Sequence, residues 1–278
     1  MTIPKVYKTT GIVLRQRRLG EADKIVTLFT PSLGKLDAVA KGVRRPRSKL
    51  AGHVEPLTYT SFMLARGREL DIVTQAQTVE VFSTLREDLE RTGRALYATE
   101  LVDRFLPERQ ENYQVFRLFL ETLRRLATED RLDITLRLFE MRLLGYLGYQ
   151  PQTEECVVCG ATLEPVTNGW SAESGGVLCP ACAHTAPMSR PLTVNALKMM
   201  RLLQKGDFAA AARVRTAPLL ETELERHLRE YILYVLERDV RSMRFLETLR
   251  HMARRSTLAP EGRDSVPDQG STPRKSAL

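Results

Sequence analysis

Four cysteines fall in two pairs, Cys156-Val-Val-Cys159 and Cys179-Pro-Ala-Cys182, with 19 residues between them. Two C-x-x-C knuckles let backbone N–H groups turn toward sulfur while four thiolates close a tetrahedron, which is the ligand spacing of a zinc ribbon. Cysteine fills every position of that site and leaves none for water, so the Zn2+ it predicts is structural rather than catalytic. A redox pair of the thioredoxin type needs only one C-x-x-C, which makes redox chemistry or vestigial cysteines the weaker alternatives. His184 lies near enough in sequence to replace a ligand, but it reads as an ordinary surface histidine.

The second constellation is electrostatic. Lys41-Gly-Val-Arg-Arg-Pro-Arg-Ser-Lys49 carries five cations and no acid, and Gly42 and Pro46 keep it out of helix interior. Residues 1–80 hold 14 Lys and Arg against 7 Asp and Glu, whereas the remainder holds 28 against 27. Nearly all of the +8 formal charge is therefore concentrated at the amino-terminal end, as expected of a footprint for phosphate. A solvated charged hairpin tip is the bland alternative. The candidate nucleic-acid contacts are Arg15, Arg17, Arg18 and Lys24 on a first hairpin and Lys35, Lys41, Arg44, Arg45, Arg47 and Lys49 on a second. If about six of them each neutralise one phosphate, affinity falls with salt at about −0.9 per contact on duplex and −0.7 on single strands. Binding of that kind tolerates any sequence. Tyr59 and Phe62 fall on opposite faces of a strand, so at most one can stack on bases, and packing in the core is the expectation for either.

Other chemistries are not supported. There is no Walker-type phosphate loop, no H-E-x-x-H, no G-x-S-x-G and no acidic cluster of the two-metal kind. His53, His227 and His251 are isolated and read as surface or interface residues. No apolar run approaches a membrane span and the opening residues lack a secretory h-region, so the expectation is a cytoplasmic protein with no membrane partner and reduced cysteines.

The elements that must position these groups can be read from periodicity. Residues 6–14, 24–30, 35–41, 56–64 and 69–78 alternate or are β-branched and are divided by turn signals, which predicts five strands in 80 residues. An oligonucleotide-binding (OB) barrel fits that count and charge, with an SH3-like barrel as competitor. From Ser83 the period becomes helical. Leu85, Leu89, Leu96, Leu101 and Val102 lead to the Leu106-Pro107 break, and segments 113–126 and 132–147 come next, the last apolar enough to be central to a bundle. Gly148 is placed to cap it. Thr193 and Asp207 are placed to cap two further helices, and a long one runs from about Leu219 to Arg250. The predicted architecture is α+β and multidomain: an OB-fold nucleic-acid-binding domain at 1–80, a helical domain at 81–253 split by a zinc ribbon at 152–190, and a disordered tail at 254–278.

The opening GIVLRQRRLGEADKIVTLFTPSLGKLDAVAKGVRR, the Gly145-Tyr-Leu-Gly-Tyr149 segment ahead of the first C-x-x-C and the final YVLERDVRSMRFL resemble the RecO family of recombination mediators, from about Lys5 to Leu249. The resemblance implies a DNA repair protein of the nucleoid that binds single- and double-stranded DNA, anneals complementary strands and, with RecR and the single-stranded-DNA-binding protein (SSB), helps RecA load, with no nucleotide hydrolysis. Some members of that family lack the cysteines, and this chain keeps all four. The tail of SSB is acidic with an apolar end, which calls for a basic-rimmed apolar groove. Arg124, Arg125, Arg137 and Arg142, set among leucines, are the candidates for it. An RNA-binding or ribosome-associated zinc-ribbon protein is the alternative reading, and a nucleic-acid-processing enzyme with an unrecognised site is another.

Overall fold

The structure is a computed structural model that describes residues 5–256, with side chains in the last helix as far as Glu237. Residues 257–278, where most of the predicted disordered tail falls, lie outside the described residues. Two compact units divide the chain, residues 1–236 and 237–278, and the first holds the barrel, the ribbon and the packed helices.

Five strands, β1 (Val6–Leu19), β2 (Asp23–Thr30), β3 (Gly34–Ala40), β4 (Thr58–Ala65) and β5 (Asp71–Val81), close a barrel in the order β1-β2-β3-β5-β4. Four of the pairings are antiparallel, and a parallel pair of β3 with β5 at Ala38–Asp71 and Val39–Ile72 closes the ring. This is the OB topology, not that of an SH3-like barrel. Alternation puts Val26, Leu28, Leu36, Ala38, Ala40, Phe62 and Leu64 inside, all buried. The β1–β2 register shifts between Val13 and Arg15, a bulge of the kind that bends a strand and re-aims the residues beyond it.

The helical part contains α1 (Thr84–Glu87), α2 (Leu89–Phe105), α3 (Tyr113–Thr128) and α4 (Leu132–Tyr146), then, after the single turn α5 (Pro180–Ala183), the helices α6 (Val194–Lys205), α7 (Phe208–Arg213) and α8 (Pro218–Ser256). As its composition predicts, α4 is central. Ten of its residues are buried, and Gly148, at φ 82°, ends it. Thr193 and Asp207 cap as expected, accepting from Ala196 and Ala210 N–H. One stretch differs from its periodicity. Asp88 accepts from the N–H groups of Glu90 and Arg91 and starts a new helix, so Leu89 and Leu96 point outward while Ala95, Ala98, Leu101, Val102 and Phe105 face the core.

Between α4 and α6 lies a three-stranded sheet of order β7-β6-β8, formed by β6 (Asn168–Ser171), β7 (Gly176–Leu178) and β8 (Arg190–Leu192), with α5 between the last two strands. Trp170, buried in this insertion, packs on His227 and Tyr231 of α8. The ribbon therefore shares the helical core.

Barrel and helices are joined by polar clamps. Asp103 of α2 receives Arg15 Nε at 2.9 Å and Lys35 Nζ at 3.0 Å, and its own carbonyl accepts from the same lysine. The segment after α2 crosses the barrel wall, where Arg109 N–H donates to Lys35 O at 2.7 Å and Arg109 Nη2 pairs at 3.2 Å with Asp71, itself held by the Tyr7 hydroxyl at 2.6 Å. Burial, then the bond to Asp71, pushes the Tyr7 phenol up to about 12. Gly34, at φ 65°, lies against the Gln110 backbone so closely that a Cβ could not fit. Replacing Asp103 with alanine leaves the ammonium of Lys35, which is 8% exposed, a backbone carbonyl but no counter-charge, and is expected to cost about 2 kcal/mol of stability in a urea titration. A loss below about 0.5 kcal/mol, the level of an exposed pair, would show that the clamp does not hold the two parts together.

Candidate nucleic-acid interface and metal centre

The ten predicted cations separate into two groups. On the β1–β2 ladder Arg18 faces Lys24, and on the β2–β3 ladder Lys24 faces Ala40, so the first hairpin ends beside the start of the 41–49 loop. Four bonds fasten loop to hairpin: Arg44 N–H to Ala22 O at 2.9 Å, Gly42 N–H to Asp23 Oδ1 at 2.7 Å, and Arg44 Nη1 to Glu21 O at 2.7 Å and to Gly20 O at 3.4 Å. Gln16, Arg17, Arg18, Lys24 and Arg44 consequently line one open cleft of about 470 Å3. Lys41, Arg45, Arg47 and Lys49 are exposed on the same loop. Among the described residues, Arg18, Lys41, Arg44, Arg45, Arg47 and Lys49 make no ion pair with a carboxylate, while Arg17 pairs with Asp37 at 2.8 Å and Lys24 with Glu55 at 3.6 Å. Gln16, which donates to Glu55, is missed by a search for cations, although its period-2 relation to Arg18 places it on that face.

Lys35 does not belong to this surface. It is buried against Asp103, and Arg15 is committed to the same carboxylate. The sequence shows a cation at a strand end, whereas the partner that claims it is 68 residues away on α2. Tyr59 packs at 6.1 Å on Phe116 and Phe62 is inside the barrel, so both aromatics serve the core.

The four arginines proposed for an acidic peptide are not assembled as one rim. Arg124 is held by Glu80 at 2.9 Å and Arg125 by Glu121 at 3.0 Å. Arg142 donates to Gln204 O and the Tyr146 hydroxyl. Arg137 is buried, with Nη1 3.0 Å from Glu140 Oε2. Of these four, Arg137 lines a groove of about 430 Å3 formed by α2, α4 and α8. Leu101, Leu136, Ile232, Leu233 and Leu236 give it apolar walls, and Arg94, Arg104 and Arg229 join Arg137 against Glu100 and Glu225. Arg94 and Arg104 lie on α2, paired with Asp133 at 2.8 Å and Glu100 at 3.3 Å, and Arg229 lies on α8, so no spacing in the sequence links them to Arg137.

The four cysteine sulfurs lie within 4.8 Å of one another, and Cys159 Sγ is 3.8 Å from Cys179 Sγ. A tetrahedron with Zn–S of about 2.3 Å has edges of about 3.8 Å, so the donor set and its spacing fit a thiolate-bound Zn2+. His184 is not part of the cluster. Burial raises the Cys156 thiol, but N–H groups of Cys159, Cys179 and Val158 directed at its sulfur outweigh that effect and bring it down to about 6. Cys182 is pushed up to about 12, chiefly through hydrogen bonds with Cys179 and Cys159. One thiolate thus forms readily, and a cation is what allows the others to ionise beside it. His227 is fully buried rather than superficial, sits at the ribbon–α8 interface, and is lowered by that burial.

Comparison with known proteins follows the same division of the chain. A family model described as Recombination protein O N terminal matches residues 1–82, and one described as Recombination protein O C terminal matches 86–244. The chain belongs to the RecO family. A protein from Roseiflexus sp. (strain RS-1) named DNA repair protein RecO is 45% identical over 258 residues, which is 93% of this chain and 91% of the relative. Relatives of the same name from Dehalococcoides mccartyi (strain CBDB1) and Symbiobacterium thermophilum are 39% and 41% identical over 90% and 88% of this chain, each with 98% of its own length covered. In this RecO-family chain the first match ends just after β5 and the second begins within α1. No described helix is long and apolar enough to cross a membrane.

Proposed function

We propose that this RecO-family chain is a non-enzymatic DNA-binding and strand-annealing mediator. The observation that carries the proposal is the cationic cleft of Arg17, Arg18, Lys24 and Arg44 beside an exposed loop whose four further cations have no carboxylate partner among the described residues. Each mobile guanidinium or ammonium can neutralise a phosphate and release a counterion, and none of these contacts reads a base, so single- and double-stranded DNA of any sequence are substrates. Two strands held on one such surface are screened from each other, which favours annealing. With Tyr59 and Phe62 in the core, the grip is electrostatic rather than stacked.

The zinc-loaded ribbon is a structural partner of the helical core. The groove between α2, α4 and α8, with four arginines against two glutamates over leucine walls, is the seat proposed for the acidic, apolar-ended tail of SSB. RecR is the further partner through which RecA is loaded, in the cytoplasm at the nucleoid. The test is annealing of complementary oligonucleotides already coated with SSB. Acceleration by this protein supports the reading, and annealing no faster than the SSB-coated control contradicts it. Incubating labelled DNA with Mg2+ checks the non-enzymatic part, for which intact strands are expected. An RNA oligonucleotide that outcompetes DNA of the same length would favour the ribosome-associated alternative.

A further inference from the structure

The floor of the groove holds an unusual charge arrangement. Glu140 is 0% exposed and Arg137 6%, one turn apart on α4, so their pair is shut away from water. Their contact of 3.0 Å is poorly aligned, leaving Arg137 Nη1 and both Glu140 oxygens without a well-oriented hydrogen-bond partner. The Tyr97 hydroxyl approaches the carboxylate from α2, and Glu225 and Arg229 face the pair from α8. Arg94, Glu100 and Arg104 stand further along the rim on α2. The buried residues of the other helices against α4, namely α3, α6 and α7, are apolar or threonine.

A buried carboxylate in this setting has one strong reason to be ionised, the guanidinium beside it, and one strong reason not to be, its desolvation. An anion entering the groove makes a second claim on that guanidinium. In a low-dielectric site two carboxylates around one arginine repel, and the cheapest relief is to protonate the one that is already buried. We infer that Glu140 is a proton-linked counter-ion of the groove: a ligand carboxylate that engages Arg137 drives Glu140 to take up one proton from solution. Burial already pushes Glu140 up to about 7 against the pull of Arg137 and Tyr97, with Glu225 adding to the rise, so the exchange falls at neutral pH. Glu140 touches no ligand; it is a positioning residue that sets how much of the Arg137 charge is available. The inference rests on the reading that the groove takes an acidic peptide with an apolar carboxyl end.

The probe is a fluorescent peptide of aspartates and glycines ending in a free leucine carboxylate, bound to the full chain between pH 6 and pH 8.5, a range in which its own carboxylates do not titrate. Affinity is expected to weaken above about pH 7, approaching tenfold per pH unit. Calorimetry of the wild-type protein at pH 7.5 in buffers of different ionisation heat should find up to one proton taken up per peptide, and none for the same peptide with an amidated C-terminus. The Glu140→Gln variant, checked for folding by circular dichroism, should bind with the same affinity across the range and about tenfold more tightly than wild type at pH 8. Binding that is indifferent to pH, with no proton uptake, overturns the linkage while leaving the groove as a peptide site. Failure to bind at any pH overturns the groove itself. Equal uptake with the amidated peptide would show that the carboxylate is not what couples.

Discussion

Treatment with a strong chelator is expected to melt residues 152–190 and to shift the emission of Trp170 to the red. Trp170 is the only tryptophan in the chain and is 1% exposed, so its fluorescence reports the ribbon without labelling. Its contacts are Tyr231 and His227 on α8, and the buried residues of the ribbon, among them Leu163, Val177, Leu178 and Leu192, belong to the same core as the helices. The metal-binding free energy of a structural thiolate site is on the order of 10 kcal/mol in small zinc domains, and in such a ribbon it serves as folding free energy. Loss of several kcal/mol is therefore expected on chelation, with a fall in the thermal midpoint that extends beyond the ribbon into α8. Replacing Cys159 and Cys182 with serine should reproduce both effects. The purified protein should carry one zinc per chain. A protein that keeps its melting temperature and its blue-shifted emission after complete removal of metal would refute a structural role.

Replacing Arg44, Arg45 and Arg47 with alanine is expected to weaken duplex binding on the order of 100-fold at about 0.15 M salt, if each lost phosphate contact forfeits about 0.9 of a released counterion. The loss should be the same for unrelated sequences, because the side chains are exposed on a loop rather than aimed from a groove-reading helix. Annealing should fall in parallel. Circular dichroism and melting should change little, except that Arg44 also donates to Glu21 O and its removal loosens the loop slightly. Lys35→Ala provides the contrast. That side chain is inside, on Asp103, so its removal should reduce stability while leaving the salt dependence of binding unchanged.

These two outcomes depend on features with different visibility in the sequence. The clustering of the four cysteines is fully legible, because a thiolate site is written as cysteine spacing and little else can bring four such residues together. The barrel is legible as well: alternation in β3 separates Leu36, Ala38 and Ala40 from Asp37 and Val39, and the folded strand keeps that division. The long-range closure of β3 on β5 and the clamps onto α2 are not, since Asp103 and Arg109 carry no local mark of what they touch. For that reason local charge alone assigns Lys35 to phosphate. The helical groove is hidden for the same reason. Charge counts identify arginines on α3 and α4, but exposure and pairing decide which of them face this groove, and Arg137 does. Leu89 and Leu96 mislead in the opposite direction, because a periodicity read across Asp88 ignores the cap that restarts the helix there.

The proposed grip of the cleft and its loop on DNA rests on about six phosphate contacts. The direct measurement is the slope of log affinity against log salt, for the wild-type protein and for the Arg44, Arg45, Arg47 triple-alanine variant, on duplex and on single strands. For six contacts the wild-type slopes should be about −5 on duplex and about −4 on single strands, and losing three contacts should roughly halve both. A triple variant whose slopes match those of the wild type would place the phosphate contacts elsewhere on the molecule and contradict that grip.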